Sequence, residues 1–230
     1  MRSSVVAHAL LATATLTLPA AAAEPRVHDA LHVRAAFGLG YAGDHFASDE
    51  VNALVVEDPT GEAIEGNLGG VAVAGELSAG YGVVEGGFLG AGFYFNVVPS
   101  PHAGEIDWIT DIDEVDFESG SYWMLGPMFD YYPDPAAGLH LTLSVGFARL
   151  GLGDGDAELE LPIEVPVADQ QGAGVSGMLG VGYDFWIADV ASLGVLGRFM
   201  IARTGAEDDN DVDWHHTVYS PALLLSASFD

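Results

Sequence analysis

The feature that most constrains this chain is an alternation of period two whose two phases differ in size as well as polarity. Leu31, Val33, Ala35, Phe37, Leu39 and Tyr41 fall on one face of an extended segment, while His32, Arg34, Ala36, Gly38, Gly40 and Ala42 fall on the other. Residues 71–83 and 88–97 repeat the pattern, with Val, Leu, Phe and Tyr in one phase and mostly Gly, Ala and Ser in the other. Five further runs, about 121–132, 139–150, 173–186, 190–203 and 217–229, bring the expected strands to eight. A water-soluble barrel would turn its large apolar side chains inward and show a charged exterior. Here no strand carries such an exterior, half the residues are hydrophobic, and lysine is absent. Small side chains suit the narrow interior of an eight-stranded barrel, and an apolar outside suits lipid. The pattern therefore predicts an all-β, antiparallel, up-and-down transmembrane barrel.

One motif argues for a different fold and fails. "GLGYAG" at 38–43 matches the dinucleotide fingerprint G-x-G-x-x-G, and Glu57 and Asp58 follow where an acidic ribose ligand would be expected. Only about ten residues separate Gly43 from the next apolar run, too few for the crossover helix of a βαβ unit. The spacing also returns as "GAGF" (90–93) and "GVGY" (180–183), so it belongs to the strand architecture.

The N-terminus reads as a secretory signal peptide over 1–23. Arg2 leads an apolar stretch that ends in Ala21-Ala22-Ala23, leaving 24–230 as one barrel domain. There is no cysteine, which excludes a lipid-modified cysteine and a disulfide scaffold. The formal charge of −28 excludes nucleic acid, whose phosphates require Lys and Arg.

Connections alternate short (85–87, 133–138, 187–189) and long (43–70, 98–120, 151–172, 204–216), as in barrels with tight periplasmic turns and long external loops. With both termini in the periplasm, the outward aromatics sort by height. Tyr41, Phe95, Trp123, Phe147 and Tyr219 form an outer belt, and Tyr81, Tyr131, Tyr183, Phe185 and Phe229 an inner one. Arg149 and Arg203 fall near the outer ends of their strands, as anchors for lipid phosphates. Pro127 and Pro221 lack the amide of a paired strand and are expected at bulges or strand ends.

The chain resembles the small eight-stranded outer-membrane barrels of the OmpA-transmembrane, OmpX and OmpW kind. The likeness covers the whole mature chain and includes the final strand "YSPALLLSASFD", similar to their C-terminal assembly signal but with Asp230 after Phe229. It implies residence in the outer membrane of a Gram-negative-type bacterium.

Two sets of residues are candidates for function. Arg34, Glu76, Asp130, Asp184 and Arg198 share the inward phase with His32 and His140. They are expected to pair in the lumen, as a plug of salt bridges or as the gate of a narrow channel for ions or small solutes. Glu76 and Arg198 are expected near mid-height, the other three lower. The long loops hold 25 of the 34 acidic residues. Asp111, Asp113, Asp116, Asp208, Asp209, Asp211 and Asp213 are candidate ligands for a divalent cation such as Ca²⁺, bridging to lipopolysaccharide, although the D-x-[DN]-x-[DN]-G calcium pattern is absent. In the third loop, apolar residues alternate with Glu158, Glu160 and Glu164, which suggests a protruding hairpin whose edge could take a partner strand.

Enzymatic readings are weaker. Asp111-x-Asp113 and Asp213-x-His215 resemble the acid pair and Asp–His pair of omptin proteases, but those barrels are larger, and acidic loops produce such spacings by chance. His215-His216 beside acids is a weak metal signal. The expectation is a surface-interaction barrel without catalysis or resident cofactor, acting through its acidic loops on cations, lipopolysaccharide or an extracellular protein.

Overall fold

The computed structural model describes residues 31–48, 64–103, 112–153, 155–159, 164–167, 170–207 and 213–229. The proposed signal peptide, Asp111, Asp208, Asp209 and Asp211 lie outside these residues.

The chain forms β1 (Leu31–Ser48), β2 (Ile64–Val84), β3 (Gly87–Val98), β4 (His102–Ala103), β5 (Ile112–Phe117), β6 (Gly120–Tyr131), β7 (Leu139–Leu152), β8 (Gly155–Leu159), β9 (Glu164–Val167), β10 (Gln170–Ala188), β11 (Ala191–Glu207) and β12 (Asp213–Phe229). Eight of them, β1, β2, β3, β6, β7, β10, β11 and β12, pair with their neighbours antiparallel, and β1 pairs with both β2 and β12 to close the ring. Closure leaves no sheet edge within the lipid band, where an unpaired amide would have no water to bond.

The register fixes the size of the ring. Residues paired in turn from Ala36 are Glu76, Tyr94, Met124, Ala148, Gly174, Thr204 and His216, and the circuit returns to β1 at Phe46, ten residues along. A ten-residue stagger over eight strands tilts them about 40° from the axis. Such a barrel has room inside for one packed set of side chains.

The two faces follow the sequence phases. Leu225 and Val175 expose 71% and 70% of their surface on the outside, while Arg34, His140, Tyr94 and Met124 are wholly buried within. Tight turns join β2 to β3 at Glu85–Gly86 and β10 to β11 at Asp189–Val190, and a longer one joins β6 to β7 over 132–138. Gly86 has φ of 68°, a conformation open to glycine. Just above it, Gly80 and Gly90 face each other inside β2 and β3. A Cβ on Gly90 would collide with the Ala79 carbonyl oxygen and Gly80 Cα.

Three expectations are corrected. Pro127 and Pro221 lie inside β6 and β12, at neither a bulge nor a strand end. The β6–β7 register is the same on both sides of Pro127, as is the β1–β12 register at Pro221, and each proline leaves a gap of two pairs on the side where its amide is missing. The long strands also run well past the roughly ten residues that span a bilayer, so much of the connections expected as loops is wall. Asp44, within the first of these connections, is a buried β1 residue.

The third-loop segment does pair as a hairpin, β8 with β9; β5 occupies the β8 edge, and β9 stands last in the strand order of the described residues. β5 pairs with β4, and β4 with the upper part of β2 at Leu68 and Gly69. The second and third connections thus build one sheet growing off β2 beyond the barrel. Phe117, the last residue of β5, packs into the core above the lumen.

The close approach at Gly90 gives the first expected outcome. Gly90→Val should destabilise the barrel by about 1–3 kcal/mol or prevent closure. Gly197→Ala should be tolerated, because a Cβ there meets only the Val181 carbonyl oxygen at 3.7 Å. Heat-dependent mobility in detergent gels distinguishes folded from unfolded barrel for both, and equal behaviour would contradict the packing described.

Candidate functional site: the filled lumen and the sheet above it

The lower lumen is organised around Arg34 of β1. Its Nε donates to Glu76 Oε1 at 2.9 Å, one Nη to Asp130 Oδ2 at 2.5 Å and the other to Thr142 Oγ1 at 3.0 Å. Four strands meet there because each carries a polar residue in its inward phase. Asp130 also accepts from Thr142 at 2.9 Å, and His140 Nδ1 lies 3.1 Å from its Oδ1. His32 Nε2 is 3.7 Å from Asp130. Tyr132, beyond the end of β6, stacks on His140 with ring centroids 5.1 Å apart and donates to Asp184 Oδ2 at 2.8 Å. Burial, with Asp130 and Asp184 nearby, pushes the Tyr132 phenol well above its usual range and keeps it a donor.

Arg198 of β11 crosses the lumen separately. It donates to the carbonyl oxygens of Gly75 (2.6 Å) and Phe95 (3.2 Å) and to Asn96 Oδ1 (2.9 Å), with Tyr94 6.0 Å below its charge. Asn96 in turn donates to Met200 Sδ at 3.6 Å. An apolar layer then fills the section, with Tyr94, Tyr122, Met124, Leu150, Met178, Met200 and Val218 among its members. The Tyr122 hydroxyl bonds Ser176. Near the outer mouth, His216 Nδ1 donates to Asp44 Oδ2 at 2.6 Å, and Phe46 packs edge-on against Trp214.

The structure thus brings together Arg34, Glu76 and Asp130, and joins Asp184 to them through Tyr132 and His140. It differs from the expected heights in one respect. Glu76 bonds Arg34 of the lower cluster, and Arg198 takes main-chain and amide acceptors. Sequence reasoning passed over Thr142, Tyr132 and the Asp44–His216 pair. Continuing the β1 alternation past Gly43 would have put Asp44 inside.

Of the loop acids, Asp113 and Asp116 belong to β5, where Asp116 pairs with His102 and Asp156. The same register aligns Glu114 with Glu158 and Glu158 with Glu164 across three strands. Asp213 and His215 are exposed at the start of β12, on the opposite phase from buried His216. On the outer wall Tyr41 and Tyr219 lie 6.4 Å apart and Trp123 and Phe147 5.8 Å apart. At the turn end Tyr183 packs on Phe185 at 4.8 Å, and Tyr131 stacks on Phe129. Tyr81 and Phe229 are exposed there too, each paired with a residue of the first three positions of β1, while Phe95 pairs with Trp123.

A closed eight-stranded up-and-down ring with a lipid-like exterior defines an outer-membrane β-barrel. No protein-family model matches the chain, and no curated protein matches it by sequence. Among solved structures it is similar to the outer membrane protein OprG from Pseudomonas aeruginosa, with a TM-score of 0.51 and 9% identity over 88% of this chain and 97% of that one. The outer membrane protease OmpT from Escherichia coli gives 0.47 and 10% over 89% and 98%, and neisserial surface protein A gives 0.38 and 13% over 86% and 96%. At these identities the OprG likeness speaks for the fold alone.

The two arginines should differ in weight. Arg34→Met strands Glu76 and Asp130 without their cation and should cost about 3–5 kcal/mol. Arg198→Met removes bonds to neutral acceptors and should cost about 1–3 kcal/mol. Denaturant unfolding of the protein in lipid vesicles measures both, and equal losses would mean that charge pairing does not organise the lower cluster.

Proposed function

We propose that the protein is a surface-exposed outer-membrane barrel whose lumen is a sealed anchor. Its activity resides in the acidic sheet above the lipid, which binds divalent cations and through them neighbouring lipopolysaccharide or a protein partner. The observation that carries this reading is the filling of the lumen. Two arginine-centred layers and the apolar layer above them occupy the cross-section with groups that are almost entirely buried. A guanidinium tied to two carboxylates in a dry interior is a poor moving part. Conduction, the competing reading, would need both layers displaced.

The sheet supplies the cation chemistry. Like charges directly opposite one another in neighbouring strands repel, and Glu114, Glu158 and Glu164 stand in such a row. Carboxylate oxygens in number suit Ca²⁺, whose coordination is flexible. The Asp213–His215 pair is given no catalytic part in this reading.

Two measurements test it. The refolded protein should be silent in a planar bilayer, and discrete steps enlarged by Arg198→Ala would establish the channel instead. Millimolar Ca²⁺ should raise the unfolding temperature of the wild type but not of the Glu114→Gln/Glu158→Gln/Glu164→Gln variant. An unfolding temperature indifferent to Ca²⁺ in the wild type would remove the cation from the proposal.

A further inference from the structure

The chain has six Lys and Arg residues in all, every one an arginine. Four lie among the described residues. Arg34 and Arg198 are consumed inside the lumen. The other two, Arg149 and Arg203, are exposed on the outer wall, and the register puts them in one place. Arg149 of β7 is paired with Ala173 of β10, and Arg203 of β11 is paired with Val175 of the same strand. The two arginines therefore flank β10, two strands apart and two residues out of step, a separation of roughly 12 Å between Cα atoms.

The surface around them is uneven: Val175, paired with Arg203, stands 70% exposed, while Ala173 and Gly177 on either side of it along β10 are small. Ala173 separates Arg149 from Gly205, and a Cβ at Gly205 would meet nothing within 4 Å. On the membrane side Gly177 lies between Val145 and Ile201, its nearest obstacle the Ser144 carbonyl oxygen at 4.0 Å. Arg149 is oriented by a bond from Nη2 to Gln171 Oε1 at 2.7 Å. Among the described residues no carboxylate pairs with Arg203. Two guanidiniums thus stand at the top of an apolar wall on a chain otherwise dominated by carboxylates. Glu207 lies four residues beyond Arg203 on β11.

We infer that this sector of the wall, Arg149 and Arg203 on either side of β10, is a binding site for a diphosphorylated glycolipid of the lipid A type. Each guanidinium takes one phosphate, and the apolar face of β10 below, with the gap at Gly177 between Val175 and Leu179, takes acyl chain. Guanidinium matches phosphate in charge and in its planar fork of donors. The height is also right. From Gly197, midway along the apolar outward series of β11, to Arg203 is six residues, or about 15 Å along the membrane normal at a tilt near 40°. That is about half the hydrocarbon thickness of a bilayer, which puts Arg203 at the headgroups. A glycolipid phosphorylated at both ends of its sugar pair can place one phosphate at each cation, whereas a lipid with one phosphate offers the two guanidiniums a single group to share. The assignment rests on the outer-membrane placement proposed above, with the long connections outward. It does not depend on the acidic sheet.

The test uses the refolded full barrel in nanodiscs of phosphatidylcholine with excess EDTA, so that cation-bridged contacts of the acidic sheet contribute nothing. Diphosphoryl lipid A is titrated in and followed by native mass spectrometry and by the fluorescence of Trp123, whose residue is paired directly with Arg149. The wild type should bind diphosphoryl lipid A about tenfold more tightly than Arg149→Gln or Arg203→Gln, and more tightly still than the double variant. Dephosphorylated lipid A should bind wild type and double variant alike. Equal binding of diphosphoryl lipid A by wild type and double variant overturns the site. Binding of phosphatidylglycerol as tight as that of diphosphoryl lipid A overturns the glycolipid assignment. Failure of the Ca²⁺ effect with arginine-dependent binding intact would defeat the acidic-sheet reading alone.

Discussion

Eight strands staggered by ten residues enclose a space that a few large side chains can fill and glycine alone cannot, and the rest of this structure follows from how that space is filled. Most inward positions are Gly, Ala or Ser, so a few larger groups must bridge the interior. Arg34 is the principal one. A guanidinium loses much solvation on entering the interior, and only a full set of acceptors offsets the loss. Here Glu76, Asp130 and Thr142 provide them from three other strands. The fork of Arg34 thereby joins β1 to β2, β6 and β7 across the lumen. Lysine, a point charge without that planar spread, could not reach the same acceptors in fixed directions.

The outside of the barrel obeys the opposite rule. Leu, Val and Phe cover it because lipid is the solvent, and the closed hydrogen-bond ladder removes every edge. Pro127 and Pro221 show how much irregularity a closed ladder tolerates. Each removes one amide from one neighbour while the other side of the same strand remains paired. At Pro127 the free carbonyl oxygen is recovered by the Ser144 hydroxyl at 2.8 Å. The register on both sides stays intact because the rest of the ring pins it.

The eight barrel strands and the facing of the residues in their central runs were legible in the sequence, since both depend on parity along single strands. Partner choice was not. Which carboxylate Arg34 reaches depends on stagger and tilt, properties of the closed ring that no single strand encodes. Glu76 illustrates this, because its position along β2 suggests mid-height while the stagger brings it to Arg34. The added sheet of β4, β5, β8 and β9 was half visible. The β8–β9 alternation is clear in sequence, but β4 has two residues and half of β5 is acidic, so neither carries a pattern above its surroundings. Asp44 was hidden by its charge: an acid beside a glycine reads as loop, and only its parity marks it as lumen.

The distribution of cations connects these observations to function. Within β4, β5, β8 and β9 there is no lysine or arginine, and the row of Glu114, Glu158 and Glu164 has no internal counter-charge from either. Exposed like charges this close repel within a Debye length, and ions from solution would lower that field. The arginines that could have balanced it are placed elsewhere, two inside the barrel and two on the lipid-facing wall. Among the described residues the arginines thus lie within the barrel and on its wall, apart from the acidic sheet.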